Sequence, residues 1–284
     1  MKLTFNASKL SLILMSFVFF GCKDQLFDAP VADTPTTVVA APTPETSTPP
    51  AVDWWADVSE VSLPISNGSP VDPAFKKGNA NPTIVILGNA TAEGVGASNI
   101  SKSWVELLKA KLKSDQKNVN VINLAQKKFT TYHIMPTNTK VADRPLPRLG
   151  KNVTRALELK PFLVIVHLTT GDVHNGYSDE EILKNYTTLR QMFIAAKVNY
   201  LFTGTQPRNF SQANRNRLVK FNDKLKAFDP DHFVDVLKKL SQQDYKIKTA
   251  YAFTDGRNLT DPGHAVINGY IFNAPLFKQL VGYK

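Results

Sequence analysis

The chain has 284 residues, a formal charge of +10 and a single cysteine. One cysteine excludes an intramolecular disulfide framework, and an apolar share of 43% places the chain among globular proteins. No arginine-rich run or stacking-aromatic motif accompanies the basic excess, so nucleic acid is not the expected partner. Acidic glycans and anionic membrane surfaces suit the charge better, though charge alone decides neither.

Met1-Lys2 and Lys9 make a basic start, and the apolar run Leu10 to Phe20 that follows ends at Gly21-Cys22. The run is too short to span a bilayer comfortably and has the flanks of a signal peptide over residues 1–21. Loss of Lys2 and Lys9 with that segment takes the charge from +10 to +8. A lone Cys after a small residue at the end of an apolar run resembles a bacterial lipobox. The resemblance implies cleavage before Cys22 and lipidation of it, each buried CH₂ then contributing about 0.8 kcal/mol of membrane affinity. The expectation is an exported protein anchored to the cell envelope by its lipid alone, the leaflet left open.

Residues 22–52 interleave Pro30, Pro35, Pro42, Pro44, Pro49 and Pro50 with Thr, Ala and Val. Such a segment cannot bury a core and reads as an extended tether of about 3 Å per residue. Residues 53–82, with Trp54, Trp55, Leu63, Ile65 and Phe75, form an arm that packs on the domain or meets a ligand. Residues 83–284 have the composition of one domain.

Within that domain five apolar, β-rich runs stand out: Thr83–Leu87, Val119–Leu124, Phe162–Leu168, Tyr200–Thr203 and His232–Val236. Helical periodicity lies between them. Trp104, Val105, Leu107, Leu108 and Leu112 recur at spacings of three and four. Ile182, Tyr186, Leu189, Phe193 and Ala196 line a stripe from Asp179 to Lys197, with Ser178 as N-cap. A basic helix is predicted over Asn209 to Phe228, and a last one over Pro262 to Leu280. Alternating strands and helices predict a three-layer α/β/α sandwich on a five-stranded parallel sheet. Ligands of such sheets bind at the carboxyl ends of the strands. The turn at Ala90, the Ala125–Tyr132 loop and the Thr169–Asn175 loop should therefore meet at one site.

The motifs at those positions resemble the SGNH (GDSL-type) hydrolases from about Thr83 onward. Gly88-Asn89-Ala90 stands where the family has Gly-Asp-Ser. Asn123-Leu124-Ala125 and Thr130-Thr131-Tyr132 match the second block of a secreted bacterial branch, with Lys127-Lys128 replacing its two glycines. Leu168-Thr169-Thr170-Gly171-Asp172 stands for Leu-Pro-Thr-Asn-Asp, and Asp255-Gly256-Arg257-Asn258-Leu259-Thr260-Asp261 for Asp-Gly-x-His-Leu-x-Asp. Met135-Pro136, Asn152 to Leu157, Asn175 to Ser178 and Thr205 to Asn209 are also similar to that branch. The resemblance places the serine at Ala90, the histidine base at Asn258 with Asp255 as its orienter, and an oxyanion-binding asparagine at Gly171. A methyl group cannot attack a carbonyl, and a nucleophile without a base is weak. Replacements in four blocks imply a natural non-catalytic relative rather than one inactivating change.

Other residues offer alternatives. Thr91 could attack if His264 or His174 served as base; it could equally bond within its turn, and Asp261-Pro262 could simply cap the last helix ahead of His264. His167 reads as a buried sheet-end histidine. Asp172 should brace its loop. Asp255 and Asn258 either bind sugar hydroxyls or brace each other. Lys127 and Lys128 are solvated, or one reaches an anionic group such as uronate, sulfate or phosphate. No His, Asp, Glu or Cys set has metal-ligand spacing, and no cofactor is expected.

The function expected is binding, without catalysis, of a saccharide, acylated glycan or envelope component in the former substrate cleft. Asn89, Ala90, Lys127, Gly171, Asp172, Asp255 and Asn258 would line it. The alternatives are an esterase or carbohydrate O-deacetylase with rearranged residues, and a structural envelope component with a vestigial cleft.

Overall fold

The computed structural model describes residues 82–283, which belong to the second of the chain's two units, Ser66–Lys284. The signal segment, the tether from Cys22 and the arm with Trp54 and Trp55 lie outside the described residues. Five strands form one sheet: β1 Thr83–Gly88, β2 Asn120–Asn123, β3 Leu163–His167, β4 Asn199–Thr203 and β5 Phe233–Val234. All neighbours pair in parallel, in the order β2-β1-β3-β4-β5. Ile84 to Leu87 and the whole of β3 are buried. That is the continuous apolar pattern of parallel strands covered on both faces.

The helices are α1 Ala90–Glu93, α2 Trp104–Ser114, α3 Val153–Glu158, α4 Thr170–His174, α5 Asp179–Ala195, α6 Gln212–Phe228, α7 Leu237–Leu240, α8 Asp261–Phe272 and α9 Pro275–Val281. Alternation along the strands sends Ile84, Ile86, Leu163, Ile165 and Leu201 to one face, where Trp104, Leu108, Ile267, Ile271 and Phe277 cover them. On the other side Tyr186 meets Phe202 edge-on at 5.0 Å, and Phe193 stacks on Tyr200 at 5.4 Å. The result is the expected α/β/α sandwich. Its buried apolar residues run from Ile84 to Val281, so the Ser66–Lys284 unit carries its own core.

Boundaries moved where local chemistry intervened. Ser211 caps α6 through the Asn214 amide, so that helix starts at Gln212 rather than Asn209. His232 belongs to a 3₁₀ turn opened by Pro230, which leaves β5 two residues long. The expected final helix is two helices. Pro275 has no amide hydrogen to continue the ladder and holds Ala274 extended (φ −61°, ψ 131°), so α8 ends and α9 begins there. Among the described residues no helix is long and apolar enough to cross a membrane.

Candidate functional site

β1 ends in the turn Gly88-Asn89-Ala90 and opens α1. Asn89 is buried, and its side chain caps α1 by accepting the Thr91 amide at 3.4 Å. Its own amide donates to the His167 carbonyl at 3.3 Å, joining the exits of β1 and β3. Ala90 is half-buried and presents a methyl group at the first position of α1. Gly88 has no room for a side chain: a Cβ there would lie 2.5 Å from that of Ala92 and 3.0 Å from the His167 carbonyl oxygen.

The second block wraps this turn. Asn123 at the end of β2 donates to the Ala92 carbonyl at 2.7 Å, and the Gln126 amide donates to the Gly88 carbonyl at 3.2 Å. Lys127 donates its amide to Glu93 Oε2 at 2.7 Å. Glu93, one turn after Ala90 in α1, thus neutralises a backbone donor of the loop. Lys128 adopts φ +69°, the left-handed conformation that favours glycine. Both lysine side chains are exposed and form no ion pair among the described residues.

The third block meets the second at Gly171. A Cβ at Gly171 would lie 2.8 Å from the Phe129 carbonyl oxygen. The space in which an asparagine would begin is occupied, and the occupant is a hydrogen-bond acceptor. Asp172 is buried and braces the junction. Its Oδ1 accepts from the Thr131 amide at 2.9 Å and the Thr131 hydroxyl at 2.6 Å, and Asn185 donates to that hydroxyl at 2.7 Å. Burial pushes the Asp172 carboxyl up to about 7, against the Thr131 hydrogen bonds that favour its charged form. Thr169, just before, takes φ +103°, an outlying value for a β-branched residue, with its hydroxyl 2.9 Å from that of Tyr186.

The fifth block closes the ring. Gly96 packs so tightly on Leu259 and Asn258 that a side chain has no space there. Asp255 Oδ1 accepts the amides of Arg257 and Asn258 at 2.8 and 3.0 Å, and Oδ2 accepts from Asn258 Nδ2 at 2.6 Å. Of the two roles open to this pair, the structure displays the mutual brace. Burial opposes ionisation of Asp255, but the Asn258 and Arg257 bonds outweigh it and hold its carboxyl below the usual range.

Thr91 is fully buried and bonds the side-chain oxygen of Gln206, whose amide donates to the Arg257 carbonyl at 3.1 Å. His264 is fully buried too. Its Nε2 donates to the Val95 carbonyl at 3.2 Å while Nδ1 receives the Trp104 amide at 3.4 Å. Both ring nitrogens are spent on backbone groups, and burial lowers the affinity of the ring for a proton. Thr91 and His264 are thus each bonded elsewhere. His167 is the expected buried histidine, 2.6 Å from the Thr203 hydroxyl and pushed down to about 4 by burial. His174 is exposed and stacks on Phe210 with ring centroids 5.8 Å apart. Glu93, Phe129 and Gln206 shape the site without having been marked by any motif chemistry. Gln206 and Phe129 stood within matched motifs, Phe129 only as a spacer. Among the described residues no group of three or more His, Cys, Asp or Glu could hold a metal ion.

No family model matches the sequence, and no curated protein matches it either. Solved structures do. A GDSL-like lipase from Bacteroides thetaiotaomicron is 18% identical with a TM-score of 0.50, over 70% of this chain and 87% of that one. LAE5, an alpha/beta hydrolase enzyme from the metagenome of Lake Arreo, Spain, is 18% identical with a TM-score of 0.54, over 72% and 98%. The acetyl xylan esterase AlAXEase is 13% identical with a TM-score of 0.53, over 68% and 99%. At these identities the likeness is one of fold: the domain has the architecture found in GDSL-type hydrolases.

Proposed function

We propose that the chain is a non-catalytic relative of these hydrolases, binding a saccharide, acylated glycan or envelope component at the carboxyl ends of its strands. The observation that carries this reading is the contact at Gly171. With Ala90 supplying no nucleophile, Gly171 supplies no side-chain donor, and the Phe129 carbonyl oxygen lies 2.8 Å from where a Cβ would begin one. A site short of such donors lacks the stabilisation on which acyl transfer depends. The test is acetyl-ester hydrolysis by residues 66–284, beside Thr91→Ala and His264→Ala versions. Hydrolysis no faster than buffer, followed by specific retention on a glycan array, is expected. Turnover abolished by either substitution overturns the proposal.

A second reading is hydrolytic, and what favours it is the company of the fold, which includes a lipase and an acetyl xylan esterase by name. Thr91 and His264 would have to leave their present partners to serve it. A folded fragment that neither hydrolyses esters nor binds any glycan would instead favour a structural envelope component. Lipidation at Cys22 is the remaining proposal, supported by the sequence alone. Metabolic labelling with a fatty acid should mark the full chain and be lost in Cys22→Ala.

A further inference from the structure

We infer that the former cleft carries an anion subsite, formed by Arg208 and Arg257 with His174 beside them, that receives a carboxylate or sulfate group of the bound glycan. The inference rests on the binding reading above and names the chemical class of its ligand. Two loops bring the arginines together. The segment leaving β4 and the segment entering α8 are laced by the Asn209 amide donating to the Gly256 carbonyl at 2.9 Å and by the Gln206 bond to the Arg257 carbonyl at 3.1 Å.

The Arg208 guanidinium lies 4.6 Å from the centroid of the Phe210 ring, the same ring on which His174 stacks. One aromatic side chain therefore seats a half-buried arginine and a histidine from α4 together. Neither Arg208 nor Arg257 has an ion pair among the described residues. The adjacent carboxylate, Asp255, already accepts three hydrogen bonds from Arg257 and Asn258. The field of the neighbours is felt: burial and then Arg257 lower the proton affinity of Arg208 against the opposing pull of Asp255, and burial followed by Arg208 and Arg257 lowers that of His174.

Two arginines against the one carboxylate of Asp255 leave a positive field, which an anion entering from solvent relieves. A planar guanidinium fork suits a carboxylate or sulfate better than a solvated ammonium does. Lys127 and Lys128, for which anion binding was the alternative reading from sequence, are exposed and have no comparable seat. Protonation of His174 adds a third cation, so binding should tighten as pH falls through and below the ordinary histidine range.

The test is calorimetric titration of residues 66–284 with trigalacturonate, a sulfated tetrasaccharide and their methyl-esterified or desulfated counterparts. Inorganic sulfate is followed in parallel by NMR at the arginine side chains. At least one acidic glycan should bind, with its neutral counterpart and the Arg208→Gln and Arg257→Gln variants each weaker by about tenfold or more. Arg208→Lys should recover only part of that loss, and thermal melts of the variants should match the parent. Binding of neutral glycans alone, or acidic binding untouched by either arginine variant, overturns the subsite and leaves the binding reading intact. Sulfate shifts centred on Arg208 and Arg257 without affinity for any glycan would keep the anion site and sink the glycan reading.

Discussion

Glu93 accepts the amide hydrogen of Lys127 at 2.7 Å, one helical turn beyond the Ala90 methyl. A backbone donor of the second block thus ends on a carboxylate instead of facing an open cleft. Placing a serine and a histidine at the two motif positions should not create an efficient esterase. The chain carrying Ala90→Ser with Asn258→His should remain a poor acetyl esterase, slowed by about 10²–10³ for each missing oxyanion donor. Clear turnover by that double variant would show that the oxyanion site is open after all.

At Gly171 the closure can be tested through stability. Gly171→Asn must move either itself or the Phe129 carbonyl, which lies 2.8 Å from the new Cβ. Overpacking of this kind costs about 1–3 kcal/mol, read as a lower denaturant midpoint at unchanged slope. A variant as stable as the parent would mean that the Gln126–Phe129 loop yields freely.

Lys128 supplies a prediction of the opposite sign. Its φ of +69° suits glycine, so Lys128→Gly relieves backbone strain, offset by the greater freedom of glycine in the unfolded chain. The net should be a gain of up to about 1 kcal/mol, with no change in glycan affinity. Loss of stability would show that the lysine side chain makes contacts that matter more than its dihedral.

Asp172 sets a pH dependence. Its carboxyl is raised to about 7, so its contribution to stability is full below the ordinary aspartate range and is lost as pH rises towards 7. His167, lowered to about 4, works the other way, losing stability as pH falls from the ordinary histidine range. The two slopes overlap in the parent, so the variant is the informative sample. Asp172→Asn keeps an acceptor for Thr131 but cannot ionise. Relative to the parent it should gain stability from about pH 4 to about pH 7 and level off above, by a few kcal/mol at most (about 1.4 per unit of displacement). A constant difference over that range would mean that Asp172 is charged throughout.

The sheet was legible from sequence because its strands are short β-branched runs bounded by turn residues, and because Ser178 and the Ile182–Phe193 stripe announce α5. What could not be read was geometry that depends on distant chain segments. The end of α8 at Pro275 was available in principle, since a proline inside a helical pattern marks a boundary. The Phe129 carbonyl beside Gly171 and the Glu93 bond to Lys127 involve backbone groups, which carry no residue-type signature at all. The cluster on Phe210 joins residues from α4, the β4 exit and the loop before α8. Only the fold makes them neighbours.

The order β2-β1-β3-β4-β5 has a consequence for how such a molecule changes its work. The chain winds one way from β1 to β2 and the other way from β3 onward, so the segments leaving β1 and β3 part from each other. Their divergence belongs to the course of the backbone and owes nothing to a serine or a histidine. The side chains at the strand ends are therefore exchangeable on a fixed backbone, and they set what the strand ends offer a ligand without setting the fold that holds them.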